Sequence, residues 1–148
     1  MKIGVIDYGV CNINAILKML NLLELDCIKI TNITQLKDIH KIILPGIGSF
    51  DNGVSVLKKN DLFYEIHENV VKKGKIILGI CLGMQLLGKH SEEGKLMGLN
   101  LINANTIKIN LNKNSNLKIP HMGWNYIKNS KKNRLISNLP ENPRFYFT

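Results

Sequence analysis

The 148-residue sequence predicts an α/β protein whose core is a doubly wound, open sheet, largely parallel or mixed. Short apolar runs rich in isoleucine alternate with segments of helical spacing, and this order favours a parallel sheet with helices packed on it. Glycine-containing loops follow several of these runs, at the carboxyl edge of the predicted sheet, where doubly wound proteins bind their ligands. We expect one domain over residues 1–148, large enough to bury a core.

The first 44 residues contain three apolar runs that we interpret as strands: Lys2–Ile6, Asp26–Thr31 and Lys41–Leu44. After the first of these, we predict a helix that begins with Asn12 as its N-cap. Its apolar residues recur at helical spacing: Ile13, Ile16, Leu17, Leu20 and Leu23. Cys27 is expected in the core, and Thr34 is expected to cap a short helix that ends near Ile39.

The middle of the chain contains one further predicted helix, Asp61–Lys73, which ends at a glycine. An apolar run from Lys75 then ends at Cys81, and a short helix follows it to about Gly88. Four strands without long helices between them are predicted in the last third of the chain: Asn105–Asn110, Leu117–Pro120, Trp124–Ile127 and Arg144–Thr148. The polar segment Asn110–Asn116 is interpreted as a turn.

Composition argues against several classes of protein. No apolar run approaches the roughly 20 residues of a membrane-spanning helix, and the charge at Asp7 comes too early for a signal peptide. Three cysteines without regular spacing suit a reducing cytoplasm better than a disulfide framework. We therefore expect a cytoplasmic protein that does not bind a membrane.

The net charge of +9 does not by itself indicate binding to nucleic acid, and we expect none. Eighteen of the twenty basic residues are lysine, whereas recognition of bases and phosphates favours the arginine fork. Basic residues also gather between Glu93 and Glu141, where no acidic residue occurs: Lys95, Lys108, Lys113, Lys118, Lys128, Lys131, Lys132 and Arg134. This segment forms either a solvated face or a docking surface for an acidic partner.

Cys81 stands at the end of an apolar run with Gly79 and Gly83 on either side, and the chain turns there into a helix. Strand, tight turn and helix with a reactive side chain at the apex describe a nucleophile elbow, here with cysteine in place of serine. The glycines leave room for the turn, and the start of the helix favours a thiolate. The alternative is a small, buried, apolar cysteine.

A thiolate that attacks a carbonyl carbon needs backbone donors for the oxyanion that develops. The N–H group of Leu82, directly after the nucleophile, is one donor in an elbow. Gly46, Ile47 and Gly48 follow the third strand and are candidates for the second donor, because glycines leave backbone N–H groups accessible. The alternative for this loop is an ordinary glycine-rich turn.

Four motifs in this order resemble those of class I (triad) glutamine amidotransferases: Asp7-Tyr8-Gly9 followed by Asn12, Leu44-Pro45-Gly46-Ile47-Gly48-Ser49-Phe50, Gly79-Ile80-Cys81-Leu82-Gly83-Met84-Gln85, and Pro120-His121-Met122-Gly123-Trp124-Asn125. The last motif is similar to the HisH branch, the glutaminase subunit of imidazole glycerol phosphate synthase. The resemblance runs from Met1 to Thr148 and implies a flavodoxin-like sheet. It also implies hydrolysis of glutamine to glutamate and ammonia, with the ammonia channelled to a (β/α)8-barrel cyclase similar to HisF in histidine biosynthesis.

The resemblance assigns roles to individual residues and implies no cofactor and no metal ion. Cys81 is the nucleophile, while Gln85, Glu93 and the backbone of Gly46 hold the glutamine. Without the resemblance, Glu93 and its neighbour Glu92 are an ordinary solvated pair. The residues that match positions near the cyclase interface are Asn12, Met122, Trp124 and Asn125. For Trp124, the only tryptophan, a place in the core is the alternative.

Two departures from the family pattern are expected to matter. Cys11 stands where the family's turn usually has a second glycine, so a left-handed backbone there would be strained. The family's catalytic His and Glu follow a strand that resembles Arg144–Thr148, so we expect a C-terminally incomplete fold with an exposed apolar sheet edge, prone to association. None of the four histidines is a convincing general base: His40, His67, His90 and His121. We therefore expect little glutaminase turnover, but covalent reaction with electrophilic glutamine analogues.

Two alternative functions stay open at the level of sequence. The chain could be a HisH-like paralogue that supplies ammonia to another synthetase, such as one that amidinates surface sugars. It could also be a catalytically inactive subunit that only docks the cyclase. A flavodoxin-like cofactor binder is disfavoured because no Gly-x-Gly-x-x-Gly fingerprint opens the first helix.

Overall fold

A computed structural model describes residues 1–112, 116–128 and 134–147. The chain divides into two compact units, Met1–Lys108 and Ile109–Thr148. Parts of the predicted basic segment and of the predicted Asn110–Asn116 turn lie outside the described residues, among them Lys113, Lys131 and Lys132. None of the helices in the described ranges is long and apolar enough to cross a membrane. A single domain over residues 1–148 stays a prediction.

The first unit is built on a four-stranded parallel sheet. Its strands, β1 to β4 in chain order, are Ile3–Ile6, Cys27–Ile30, Lys41–Gly46 and Ile76–Cys81. They lie in the order β2-β1-β3-β4. An open parallel sheet joined by helical connections is the α/β class that the sequence predicted.

Helices cover both faces of this sheet. Alternate residues of a strand point to opposite faces, so Ile42 and Leu44 of β3 join a larger apolar cluster and Ile43 joins a smaller one. Helix α1, Asn14–Leu22, contributes Leu20 to the smaller cluster. The larger cluster is covered by α2, α3 and α4, which span Phe50–Lys59, Leu62–Val71 and Leu82–Leu86. The sheet is therefore doubly wound.

Helix α1 begins slightly later than the sequence predicted. The side chain of Asn12 accepts a hydrogen bond from the N–H group of Asn14 at 3.0 Å, and Ile13 occupies the N-cap position. Asn12 therefore caps the turn that precedes the helix. Cys27, predicted in the core, is half-buried against the smaller cluster, with its sulfur 3.3 Å from Oδ1 of Asn21.

A short 3₁₀ helix at Ile33–Leu36 follows β2. The prediction that Thr34 caps this helix is wrong, because Asn32 supplies the acceptor. Its side-chain oxygen accepts hydrogen bonds from the N–H groups of Thr34 at 3.1 Å and Gln35 at 3.3 Å. The Gln35 side chain bonds back to the N–H group of Asn32 at 3.2 Å, which completes a capping box.

Helix α2 was not predicted from the sequence. It begins at Phe50, directly after the glycine-containing loop, and ends at Lys59. Gly53 brings it close to α4, since a Cβ on Gly53 would lie 3.1 Å from a methyl of Leu82 and 3.2 Å from one of Leu86. Close contact between two helices therefore holds α2 in place.

The other predictions for the first unit hold with shifts at the ends of elements. Helix α3 confirms the predicted helix at Asp61–Lys73, and α4 ends at Leu86 instead of Gly88. Two short parallel strands, β5 and β6, follow it at His90–Ser91 and Asn105–Thr106. The strand predicted over Asn105–Asn110 is thus limited to its first two residues.

The second unit contains one antiparallel pair, β7 at Gly123–Tyr126 and β8 at Arg144–Phe147. These strands confirm the two predicted near the end of the chain, except that Thr148 lies outside the described residues. The strand predicted at Leu117–Pro120 is wrong, since these residues form no strand. Pro120 has no backbone N–H group to donate to a ladder.

Strand β4 forms one edge of the parallel sheet, because no described strand pairs with its outer side. Ile76, Leu78 and Ile80 alternate along this strand and are exposed, Ile76 to 63%. The exposed apolar edge that the sequence predicted is present. Self-association through it stays a prediction.

Candidate active site

The predicted nucleophile lies at the junction of β4 and α4. Cys81 is the last residue of β4, has φ 55° and ψ −120°, and is exposed. A positive φ is uncommon for a residue other than glycine, and strained backbone of this kind clusters at functional sites. Within the described part of the chain, no residue forms a hydrogen bond with its thiol. The sulfur is therefore available to a ligand from solvent.

Gly79 and Gly83 allow the turn at Cys81 because neither position has space for a side chain. A Cβ on Gly79 would lie 2.5 Å from Cα and 2.6 Å from the backbone nitrogen of Met84. A Cβ on Gly83 would overlap the carbonyl oxygen of Leu44 in β3. The elbow thus packs directly against the neighbouring strand, as the flanking glycines predicted.

Strand β3 brings the predicted oxyanion loop to this elbow. Gly46 is the last residue of β3 and pairs in register with Cys81. A Cβ on Gly46 would lie 3.1 Å from Cβ of Leu82, so the backbone of both predicted oxyanion residues meets beside the nucleophile. Ile47 and Gly48 continue the loop and are exposed, and Gly48 has φ 107°. This left-handed conformation suits glycine.

Tyr8 contributes a polar group to which the sequence assigned no role. The residue is 3% exposed, and its hydroxyl has no hydrogen-bond partner among the described residues. The hydroxyl oxygen lies so close to Gly46 that a Cβ there would clash with it. Burial raises the pKa of Tyr8, and the nearby thiols of Cys11 and Cys81 raise it further, so the phenol stays neutral. Its place in the Asp7-Tyr8-Gly9 motif was the only signal.

Cys11 does not carry the strain that the departure from the family pattern suggested. The left-handed residue of this turn is Gly9, with φ 84°, and Cys11 lies outside that region. Burial raises the pKa of the Cys11 thiol, and the carboxylate of Asp7 adds to this. A raised pKa leaves less thiolate, so Cys11 is a poorer nucleophile than an ordinary cysteine.

The two side chains predicted to hold glutamine lie in the same unit as Cys81. Gln85 is half-buried in α4, about one turn beyond Cys81, and its side chain has no hydrogen bond among the described residues. Glu93 is exposed, and its Oε2 accepts a hydrogen bond from the N–H group of Phe50 at 3.2 Å. Oε2 of Glu92 accepts a hydrogen bond from the N–H group of Lys108 at 2.8 Å. The two glutamates are therefore not a plain solvated pair.

Comparison with known proteins agrees with this arrangement. Residues 4–147 match the family described as Glutamine amidotransferase class-I. "Imidazole glycerol phosphate synthase subunit HisH 2" of Methanococcus maripaludis is 50% identical over 146 residues, which cover 98% of this chain and 71% of that protein. The chain belongs to the HisH branch of the class I glutamine amidotransferases.

Other HisH relatives show similar coverage. The HisH subunit of Prochlorococcus marinus subsp. pastoris is 44% identical over 135 residues, or 91% of this chain and 64% of the relative. The HisH subunit of Leptospira borgpetersenii is 39% identical over 146 residues, or 98% of this chain and 72% of the relative. The chain thus spans between 64% and 72% of the length of these relatives.

A solved structure supports the fold. The protein described as "Crystal structure of glutamine amidotransferase" aligns with a TM-score of 0.60 and 18% sequence identity, covering 71% of this chain and 55% of that chain. At this identity the likeness concerns the α/β architecture alone.

The residues that match HisH positions near the cyclase interface are distributed over both units. Asn12 is an exposed residue of the first unit. In the second unit, Met122 and Trp124 are exposed, Trp124 to 63%, so its side chain is not buried in a core. Asn125 places Nδ2 3.3 Å from Nε2 of His121. Met122 and Asn125, together with His121, line a cleft of about 440 Å³ within the second unit.

None of the three histidines in the first unit forms a hydrogen bond with the Cys81 thiol. His40 accepts a hydrogen bond from the N–H group of Lys2 at 3.1 Å, and His121 stacks on Phe147 in the second unit with ring centroids 4.4 Å apart. The other two histidines lie on α3 and β5. Among the described residues, no group of three or more His, Cys, Asp or Glu side chains could hold a metal ion.

Proposed function

We propose that this chain is the glutaminase subunit of an imidazole glycerol phosphate synthase. Such a subunit hydrolyses glutamine to glutamate and ammonia, and the ammonia passes to a HisF-like cyclase in histidine biosynthesis. The observation that carries the proposal is the strained turn at Cys81, in register with Gly46 of the oxyanion loop. The names of the HisH relatives agree with this assignment.

In the covalent step, the sulfur of Cys81 attacks the side-chain amide carbon of glutamine. The oxyanion accepts hydrogen bonds from the backbone N–H groups of Leu82 and of the Gly46–Gly48 loop. A general base carries the thiol proton to the amide nitrogen, and the C–N bond breaks. Ammonia departs, and a glutamyl thioester remains on Cys81. Water then hydrolyses this thioester to glutamate and restores the thiol.

Glutamine is recognised by groups on three segments around the nucleophile. The carboxylate of Glu93 pairs with the α-ammonium group of the substrate, because opposite charges attract strongly when they are held close. Gln85 offers an amide with no other hydrogen bond among the described residues. The backbone of Gly46 completes the site, and this chemistry uses no cofactor.

Turnover requires a general base, and no histidine of the first unit forms a hydrogen bond with Cys81. We therefore expect residues 1–148 to show little steady-state glutaminase activity, with or without the cyclase. The covalent step with an electrophilic analogue needs only the placed thiol, so we expect it to remain.

The partner in this proposal is a (β/α)8-barrel cyclase in the cytoplasm, with which the chain forms a heterodimer. The residues assigned to this interface are Asn12, Met122, Trp124 and Asn125. A subunit that docks the cyclase without cleaving glutamine is the second candidate function. It is favoured by the lack of a hydrogen bond between Cys81 and any histidine of the first unit.

The reagent 6-diazo-5-oxo-L-norleucine tests the proposal. Its diazo carbon takes the thiol proton, the sulfur displaces N₂, and a thioether remains. We expect one adduct per chain, on Cys81, located by peptide mass spectrometry and slowed by glutamine. Cys81→Ala removes the adduct, and Cys11→Ala is the matched control that keeps it. A chain that binds the cyclase but forms no adduct supports the docking function instead.

A further inference from the structure

The start of α2 and the loop after β5 hold each other through reciprocal hydrogen bonds, which we call the clasp. The Asp51 carboxylate accepts the N–H group of Lys95 at 3.0 Å and 2.9 Å through its two oxygens, and that of Leu96 at 2.9 Å. In the other direction, Oε2 of Glu93 accepts the N–H group of Phe50 at 3.2 Å. The clasp therefore joins segments more than 40 residues apart in the sequence.

The fit of the clasp is close. A Cβ on Gly94 would overlap Oδ1 of Asp51, so the backbone of the loop passes directly over the carboxylate. The hydrogen bonds from Lys95 and Leu96 lower the pKa of Asp51, so the carboxylate stays ionised and accepting at neutral pH. Asp51 lies in the first turn of α2, yet both of its carboxylate oxygens accept hydrogen bonds from the backbone of the loop after β5.

The clasp leaves one carboxylate oxygen of Glu93 without a partner. Oε2 accepts the Phe50 N–H group, whereas Oε1 has no hydrogen bond or ion pair among the described residues. Phe50 directly follows the Ile47–Ser49 loop, which continues from Gly46 and contains two of the predicted oxyanion residues. Because Glu93 is bonded to Phe50, the clasp fixes the position of the free oxygen relative to the loop that follows Gly46.

We propose that Asp51 is a positioning residue that holds Glu93 for the α-ammonium group of an amino-acid amide. The inference rests on the proposed function and adds a residue to it. Asp51 touches neither substrate nor nucleophile and acts through the loop that carries Glu93. Without Asp51, the N–H groups of Lys95 and Leu96 lose their acceptor and the Glu93 carboxylate loses its fixed place.

The test compares two reagents on the full 148-residue chain. One is 6-diazo-5-oxo-L-norleucine, and the other is 6-diazo-5-oxohexanoate, the same diazoketone without the α-amino group. The ratio of their labelling rates at Cys81 measures recognition of the ammonium group. Iodoacetamide has no α-amino group to be recognised, so its labelling rate reports the reactivity of the thiol itself.

We expect Asp51→Ala to lower the preference for the amino reagent by about ten- to a hundredfold, since small misplacements of binding groups have effects of this size. Asp51→Asn keeps one acceptor oxygen and is expected to lose less. Asn52→Ala, in the same turn of α2 but exposed and without a side-chain hydrogen bond, is the matched control. Iodoacetamide rates at Cys81 are expected to stay unchanged in all three variants.

The outcomes separate the two proposals. If the unmodified chain shows no preference for the amino reagent, recognition of glutamine through Glu93 fails, and the proposed function fails with it. If that preference exists and Asp51→Ala keeps it, the positioning role of Asp51 is wrong. If Asp51→Ala slows iodoacetamide equally, the residue only supports the fold, which also overturns the inference. If the alanine variant does not fold, the same comparison of labelling rates is made with Asp51→Asn, and its outcomes are read in the same way.

Discussion

Cys81 has a backbone conformation that costs free energy, and packing of its neighbours maintains it. A non-glycine residue at φ 55° stores about 1–3 kcal/mol of strain. Gly79 and Gly83 lie too close to Met84 and Leu44 for the turn to open without moving β3. The strained residue therefore presents its thiol from a rigid support.

Replacement of Gly83 by alanine is expected to damage this support. The new Cβ would overlap the carbonyl oxygen of Leu44, so β3 and the elbow must separate. We expect a loss of free energy of unfolding of about 3 kcal/mol or more, or loss of the folded protein. Gly74→Ala is the control, because its Cβ meets open space and only φ 66° opposes it, at about 1–2 kcal/mol. Urea unfolding measures both, and equal losses would contradict the expected overlap.

Replacement of Tyr8 by phenylalanine is expected to leave the fold as stable or to stabilise it. The buried hydroxyl has no partner among the described residues, so its removal ends a desolvation cost of about 1–3 kcal/mol. Tyr64→Phe, at an exposed position, is the control and is expected to change little. A clear loss of stability in Tyr8→Phe alone, measured by urea unfolding, would show that the hydroxyl has a partner.

Local motifs predicted the turn at Cys81 well, and long-range bonds escaped prediction. Gly79, Cys81 and Gly83 stand within five residues, so strand, turn and helix can be read from one stretch. The bond between Glu93 and Phe50 joins residues 43 positions apart, and no local pattern indicates it. The hydrogen bonds of the Asp51 carboxylate escaped prediction for the same reason.

At the scale of elements, α2 shows where sequence patterns fail. Its residues Asp51, Asn52, Gly53 and Ser55 are poor helix formers, so propensity argues against a helix there. The helix forms because Gly53 permits contact with α4 and because Glu93 binds its first N–H group. Tertiary structure supplies what the local sequence lacks.

The exposed edge of β4 predicts self-association. Ile76, Leu78 and Ile80 combine exposed apolar side chains with a strand edge that no described strand pairs, the arrangement that promotes edge-to-edge pairing. We expect Ile76→Lys to reduce association, because a charge on an edge strand opposes pairing. Leu22→Lys, at an even more exposed apolar position at the end of α1, is the control. Sedimentation velocity at several concentrations measures the effect, and equal association of both variants would count against the β4 edge.

At the scale of the whole molecule, stability is expected to fall in acid. The pKa of Asp7 is lowered, mainly by its bond to Lys29 at 2.8 Å, and that of Asp51 by the N–H groups of Lys95 and Leu96. Groups whose pKa falls on folding stabilise fully above their unfolded value, about 4, and lose this effect as pH drops through the folded value.

The measurement is the urea midpoint between about pH 5 and pH 2. We expect the midpoint to decrease on acidification and the decrease to be smaller in the double variant Asp7→Asn/Asp51→Asn. Asp38→Asn, at a carboxylate with no hydrogen bond in the described part of the chain, is the control. The same acid dependence in all three proteins would mean that other groups control it.

The overall architecture followed from the alternation of apolar runs and helical spacing, which is a property of the whole chain. Short segments of the last third of the chain were predicted less well. Leu117–Pro120 has the apolar composition of a strand, yet Pro120 lacks a donor and no ladder forms. The two compact units also escaped prediction, because no linker composition separates Lys108 from Ile109.

The strand order β2-β1-β3-β4 has a consequence for synthesis on the ribosome. Once β1 and β2 pair, each later strand adds to the same growing side, first β3 beside β1 and then β4 beside β3. The chain emerges from its N-terminus and folds in units as it does so. Cys81 ends the last of these strands, so a nascent chain acquires its reactive thiol only after the surface that receives it exists.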